Sequence, residues 1–249
     1  MIHSSPIESG KYISGSGPLR VLFVGFKYDY GIPVRGYSFE YLNIFESLEK
    51  MTGIEASLFP FDESMRSAGQ DGMNRLLIEE VRRLQPHICL FSLFTEEIYA
   101  RTIRTISESG KTVTCNWFAD DHWRFETYSK YWAPYFHWVV TTDALAVEKY
   151  HANGLHHIIR SQWGYNHHRY HPWSLTPDID TSFIGQVHSD RKKIVQSLVR
   201  KNIRVECWGK GWKNGRADQE EMVKLFSRSK INLNFTESSQ SYDLKRFMK

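Results

Sequence analysis

Short, nearly continuous apolar runs alternate along the chain with segments whose apolar residues recur every three or four positions. The runs are LRVLFVGF (19–26), HICLFSLF (87–94), TVTCNWF (112–118), FHWVVTTD (136–143) and HHIIRSQW (156–163), with IEASLFPF (54–61) a weaker member. Runs this short, rich in β-branched residues and without polar alternation, suit strands buried on both faces of a parallel sheet. Between them, SFEYLNIFESLEKM (38–51) places Phe39, Leu42, Phe45 and Leu48 at helical spacing, with Gly53 just past its end. GMNRLLIEEVRRLQ (72–85), residues 96–109 and ALAVEKYHANG (144–154) read as further helices, the last stopped by Gly154. Such alternation predicts a doubly wound α/β sheet whose ligands sit beyond the carboxyl ends of the strands.

The rhythm breaks at HPWSLTPDID (171–180), where two prolines and a Ser/Thr cluster mark a hinge. It then restarts with strands predicted at 181–185, 203–209 and 231–235 and helices at 189–202 and 219–229. The expected organisation is a flexible leader over 1–17, a Rossmann-like domain over 18–173 and a partial second Rossmann-like domain over 174–249.

Composition narrows this picture without redirecting it. At 249 residues, 41% hydrophobic and 24% charged, the chain has the make-up of a soluble protein with one large or two modest cores. The 32 basic and 28 acidic residues leave a net charge of +4, scattered along the chain, which permits an anionic ligand and does not ask for nucleic acid. Eight Trp and thirteen Tyr are more than packing alone requires, and such rings suit flat, amphipathic ligands such as bases and sugars. Cys89, Cys115 and Cys207 lie far apart in strand-like surroundings and read as buried free thiols of a reducing compartment. No stretch approaches the ~20 apolar residues of a membrane span, and the amino terminus lacks the apolar core of a signal peptide, so the expected location is cytoplasmic.

Several strand ends carry candidate chemistry. After the run at 181–185, Gly185, a polar turn, and Arg191 and Lys192 at a helix start compose an anion site of backbone N–H groups, helix dipole and cations; a solvated helix face is the competing reading. WGKGW (208–212) offers Gly209 and Lys210 in a second glycine turn, read either as a ligand loop or as a tight turn with packed indoles. NFTESS (234–239) adds hydroxyls and Glu237. In the first half, the long loop GFKYDYGIPVRGYS (25–38) presents Gly25, Tyr28 and Arg35 as binding candidates. NWFADDHWRF (116–125) places Asp120 and Asp121 between Trp117 and Trp123. Neighbours in an extended segment point to opposite sides, so a clamp of both carboxylates on one metal is disfavoured. One carboxylate facing a sugar hydroxyl, as contact or base, fits better, with the other structural. His167 and His171 have no nearby Cys or carboxylate to complete a zinc site.

Taken in order, WFADDHWRF, VVTTDALAVEKYHANG, WGYNHHRYHPW, DTSFIGQVHSDRKKIVQSL, VECWGKGW and INLNF resemble the glycosyltransferases of the spore-maturation-protein type, the CgeB-like group, over about residues 112–235. GYNHHRYHP looks like the segment by which GT-B glycosyltransferases pass from their first domain to their second. The resemblance implies a GT-B-like α/β fold, two Rossmann-like domains facing across a cleft, the second incomplete. It also implies a nucleotide-sugar donor held by the second domain and a glycan, lipid or protein acceptor by the first. No metal or other cofactor is expected, the leaving diphosphate falling to Gly185, Arg191 and Lys192, with Gly209, Lys210 and Glu237 on the donor side. Asp121, or else Asp120, is the expected base, with Gly25, Tyr28, Arg35, Trp117 and Trp123 on the acceptor side. The family's Lys/Arg-Gly-Arg-x-Phe-Glu segment does not follow INLNF here, so a C-terminally truncated relative is expected. The alternative function is a non-catalytic nucleotide- or glycan-binding protein.

Overall fold

The computed structural model describes residues 17–188 and 190–235, so of the expected leader only Gly17 is seen. Packing divides the chain into two α/β units after Asn166, ahead of the boundary at residue 173 that the proline-containing break predicts.

The first unit runs β1 (Leu19–Gly25), α1 (Glu46–Glu49, entered through a π-helical turn at Tyr41–Phe45), β2 (Ile54–Pro60), α2 (Phe61–Leu84), β3 (Ile88–Phe91), α3 (Ala100–Glu108) and β4 (Val113–Phe118). It continues through α4 (Asp121–Arg124), α5 (Lys130–Trp132), β5 (Trp138–Thr141), α6 (Ala144–Ala152) and β6 (Ile158–Arg160). All six strands are parallel, in the order β2-β1-β3-β4-β5-β6. The all-apolar centre of β1 follows from this order. Val24 pairs with Phe59 on one side and Phe91 on the other, and Leu22, Phe23 and Val24 are fully shielded.

Three elements depart from the sequence expectation. α2 begins at Phe61 instead of residue 72, because its first turns are polar and carry no apolar period; it breaks at Gly69, whose φ of 68° lies outside the helical region. α3 begins at Ala100, because Thr95–Tyr99 form a turn in which the buried Glu97 carboxylate accepts the Thr95 backbone N–H (2.8 Å) and hydroxyl (2.8 Å). Residues 121–135, unassigned from sequence, fold into a succession of short helical turns.

The second unit holds β7 (Ile179–Ile184), α7 (Arg191–Arg200), β8 (Glu206–Trp208), α8 (Gln219–Arg228) and β9 (Ser229–Leu233), with a parallel sheet in the order β8-β7-β9. Asp218 caps α8 by accepting the Glu221 N–H (2.8 Å). Its core is small: Phe183, Val195 and Cys207, with Val205, Trp212, Leu233 and Phe235 against them. The three cysteines are buried and free; burial pushes the Cys115 thiol up to about 12 and that of Cys207 up to about 11, so neither is a ready nucleophile.

Gly209 sits where two backbones touch. Its φ is +132°, and a Cβ there would lie 2.2 Å from the Gly185 carbonyl oxygen. Gly209→Ala is expected to destabilise the protein by about 2–4 kcal/mol in urea unfolding, whereas Gly164→Ala, with open space around it, stays within about 0.5 kcal/mol.

Candidate functional site

In the strand order of the first sheet, β1 pairs with β2 on one edge and β3 on the other, so the connections leave in opposite directions and open a crevice at the carboxyl ends of β1 and β3. A cavity of about 220 Å³ lies there, lined after β1 by Phe26, Asp29, Tyr30, Phe39 and Glu40, after β3 by Ser92, Leu93 and Phe94, and at the end of β4 by Trp117 through Asp120, with Arg124, Tyr128, Ser129 and Trp163 closing it.

The β1 loop reaches this place because it is tied down. Buried Asp62 accepts the backbone N–H of Lys27 (3.0 Å) and Tyr28 (3.2 Å), and the loop closes on itself through Asp29 N–H to Gly36 O (3.0 Å) and Ser38 N–H to Lys27 O (2.9 Å). Ser38 then opens the helical segment, its hydroxyl accepting the Tyr41 N–H (3.0 Å) while donating to Phe26 O (2.6 Å). That register puts Phe39 and Glu40 over the crevice. Loss of solvent, together with the negative charges of Asp29 and Asp120, pushes the Glu40 carboxyl above the ordinary glutamate range; hydrogen bonds from its own backbone and Ser38 only partly offset this. Arg124 lines the same cavity from α4, donating Nη2 to Phe94 O (2.5 Å) with its guanidinium 4.2 Å from the Tyr128 ring centre.

The walls are aromatic: Trp163 packs edge-on against Phe39 (5.4 Å between centroids) and lies 6.4 Å from Trp117, and Tyr30 meets Phe94 edge-on at 5.4 Å. Two buried donors near the end of β4, Asn116 Nδ2 and Trp117 Nε1, have no hydrogen-bond partner among the described residues. Orphaned donors beside a cavity are where a polar ligand or water is expected. Among the described residues no group of three or more His, Cys, Asp or Glu side chains is placed to hold a metal ion, and no helix is long and apolar enough to cross a membrane.

In the second unit the strand, glycine turn and helix come together at the carboxyl end of β7. The Gly185 N–H donates to Trp208 O (2.8 Å), the Val187 N–H to Lys210 O (2.9 Å), and the Trp212 indole N–H to Gly185 O (2.8 Å). Arg191, the first residue of α7, lies over the turn, with Nη1 3.2 Å from Gln186 O. Lys192 is exposed beside it.

Residues 191–247 match the family model described as glycosyl transferase-like. The match starts at the first residue of α7 and continues through β8, α8 and β9. No curated protein matches the chain. Among solved structures, the chain is similar to a UDP-GlcNAc 2-epimerase from Neisseria meningitidis bound to UDP-GlcNAc, with 10% identity, 86% of this chain and 77% of that chain covered, and a TM-score of 0.46. It is also similar to the apo form of the lipopolysaccharide outer core galactosyltransferase WaaB, with 11% identity, 87% and 68% covered, and a TM-score of 0.47.

The sequence candidates separate on this geometry. Asp120 and Trp117 line the first-unit cavity. The expectation that Asp121 faces the ligand is corrected: its side chain is fully buried and its Oδ2 accepts the Tyr150 hydroxyl (3.0 Å). Asp120 stands just before α4, with its side chain making no capping hydrogen bond, and Asp121 begins the helix, so the turn sends the second carboxylate into the core. Gly25, Tyr28, Arg35 and Trp123 do not line the cavity. Gly25 is packed against the Phe23 ring, Tyr28 stacks on Tyr37, Arg35 lies over the Tyr30 ring, and Trp123 is 36% exposed beside Arg124. In the second unit Gly185, Gly209, Lys210 and Arg191 converge on one turn, although Trp212 is occupied in holding it together. Glu237 lies outside the described residues.

Sequence reasoning missed Glu40, Asp29 and Trp163. The helical spacing over 38–51 counts Phe39 among its apolar positions and does not single out the neighbouring Glu40. The available signal was their place directly after the long β1 loop.

Asp121 also makes a testable stability element. Burial pushes its carboxyl up, against hydrogen bonding by Ser129, Thr141 and Tyr150. The folded state therefore binds its proton more tightly than the unfolded chain, and stability falls as pH rises from the ordinary aspartate value through the raised one. Asp121→Asn keeps an acceptor for Tyr150 and is expected to fold and to flatten that slope in urea unfolding at acidic and neutral pH. Asp121→Leu removes the carboxylate acceptor of the buried Tyr150 hydroxyl and costs about 1–3 kcal/mol.

Proposed function

We propose that this chain is a glycosyltransferase, moving a sugar from a nucleotide-diphosphate sugar to a hydroxyl group of a glycan, lipid or protein acceptor. The observation that carries the reading is the match of residues 191–247 to the glycosyl transferase-like family. The CgeB-like resemblance points the same way, and the cavity at the first sheet's switch point supplies what an acceptor needs: a basic carboxylate, a second carboxylate and aromatic walls.

In this reading the second unit takes the donor. The amino end of α7 and the cations Arg191 and Lys192 receive the charge of the departing diphosphate without a metal ion. The first unit takes the acceptor. The hydroxyl oxygen forms a bond to the anomeric carbon, the bond from that carbon to the diphosphate oxygen breaks, and the hydroxyl proton passes to Glu40. A carboxylate whose proton affinity is raised is the better base near neutral pH. Asp120 holds a neighbouring hydroxyl and, through its charge, helps keep Glu40 basic.

The test is a panel of nucleotide-sugars, scored for binding and for transfer or slow hydrolysis, in the presence of manganese and of chelator. Activity insensitive to chelator is expected. Glu40→Gln should lower kcat/KM by about 10²–10⁴-fold. The acid limb of the pH profile should sit above the ordinary glutamate value, since the base works only when deprotonated. Asp120→Asn removes a neighbouring negative charge and should move that limb to lower pH. Arg191→Ala should weaken donor binding. A panel with neither binding nor turnover would sink the proposal.

A further inference from the structure

A second, larger cavity of about 950 Å³ adjoins the first, and Arg124 and Tyr128 line both. The two volumes differ in what they admit. Pockets for small organic ligands run to about 300–1,000 Å³; the first cavity, about 220 Å³, takes no more than one sugar ring, and the second has room for several. The partition between them is fixed, because the Arg124 guanidinium lies on the Tyr128 ring and bonds Phe94 O, while the Tyr128 hydroxyl donates to Thr95 O (2.5 Å).

The chemistry of the larger cavity selects among occupants. Trp132, 5.8 Å from Tyr128 between centroids, and Tyr99 offer ring faces, while Gln70 and Glu96 offer polar edges. Among the lining side chains, Glu96 and the buried Glu97 set two carboxylates against one cation, Arg124, while Arg101, 4.6 Å from the Tyr99 ring centre, is paired with Asp71 (3.7 Å); this balance disfavours phosphate and so a lipid diphosphate. Aromatic faces mixed with polar edges suit neutral carbohydrate.

We infer that the acceptor is an oligosaccharide whose terminal sugar occupies the first cavity and whose preceding sugars lie in the second, bent past Arg124 and Tyr128. The inference rests on the transferase reading and narrows its acceptor class. It predicts that recognition grows with chain length.

The experiment uses the whole chain, without donor, on an array of mono-, di- and trisaccharides sharing the same terminal sugars. Trisaccharides are expected to bind at least about tenfold tighter than monosaccharides of the same terminal sugar, a gain of about 1.4 kcal/mol. Ala100, half-buried at the start of α3, lines only the larger cavity. Ala100→Trp should obstruct part of that cavity and reduce the length preference while sparing monosaccharide binding. If that variant does not fold, Glu96→Lys, at an exposed position, should reduce the same preference. Glycan binding without length preference, or a preference that neither variant changes, overturns the inference and leaves the transferase reading intact. No glycan binding at all overturns the inference and leaves the transferase reading with a lipid or protein acceptor. Length-dependent binding by a protein that neither binds nor turns over nucleotide-sugars overturns the transferase reading and leaves the glycan groove standing.

Discussion

The functional face of the first unit depends on one pairing constraint: β1 is hydrogen-bonded to β2 along one edge and to β3 along the other. Seven register pairs with β2 and four with β3 leave β1 without a free edge, which accords with its wholly apolar middle. The chain leaving β1 must turn one way and the chain leaving β3 the other, so their carboxyl ends cannot be covered by the same helix. The crevice is a consequence of connectivity, and the side chains that fill its walls are those the sheet happens to end on.

Hydrogen-bonded carboxylates then give the crevice its shape. Asp62 holds the backbone of Lys27 and Tyr28, Glu97 holds Thr95, Asp143 caps α6 through the Leu145 N–H, and Asp121 anchors α4 to Tyr150. Each accepts donors that a loop end would otherwise leave unpaired, so loops at this edge are ordered by specific bonds as well as by packing. Against that background Glu40 differs from Asp121, whose carboxyl is also pushed up by burial, because Glu40 lines the cavity and Asp121 does not. The environment of Glu40 raises its proton affinity, with two other acids nearby, which is the condition of a group suited to exchanging a proton.

The second unit solves a different problem with fewer residues. Its core is small, and the turn after β7 is held by backbone approach: Gly209 against Gly185, with the Trp212 indole bonded to the Gly185 carbonyl. Such contact has no tolerance for a side chain. It also leaves the amino end of α7, where the glycosyl transferase-like match begins, in one defined place.

The sequence by itself determined the nature of most elements. Continuous apolar runs marked β1, β3, β4 and β5, helical spacing marked α6, α7 and α8, and the restart after residue 180 marked a second unit, because burial on two faces or one is a local property of side-chain order. It also placed Asp120, Trp117 and Gly185 at strand ends and Arg191 at a helix start. Only the tertiary structure decided which carboxylate of the Asp120–Asp121 pair is buried, since that depended on α4 starting at Asp121 and on Tyr150 arriving from a helix far along the chain. It alone brought Glu40, Asp29 and Trp163 to one cavity. Periodicity reports which side of an element is dry; strand order, set by hydrogen bonds between residues distant in sequence, decides which loops meet.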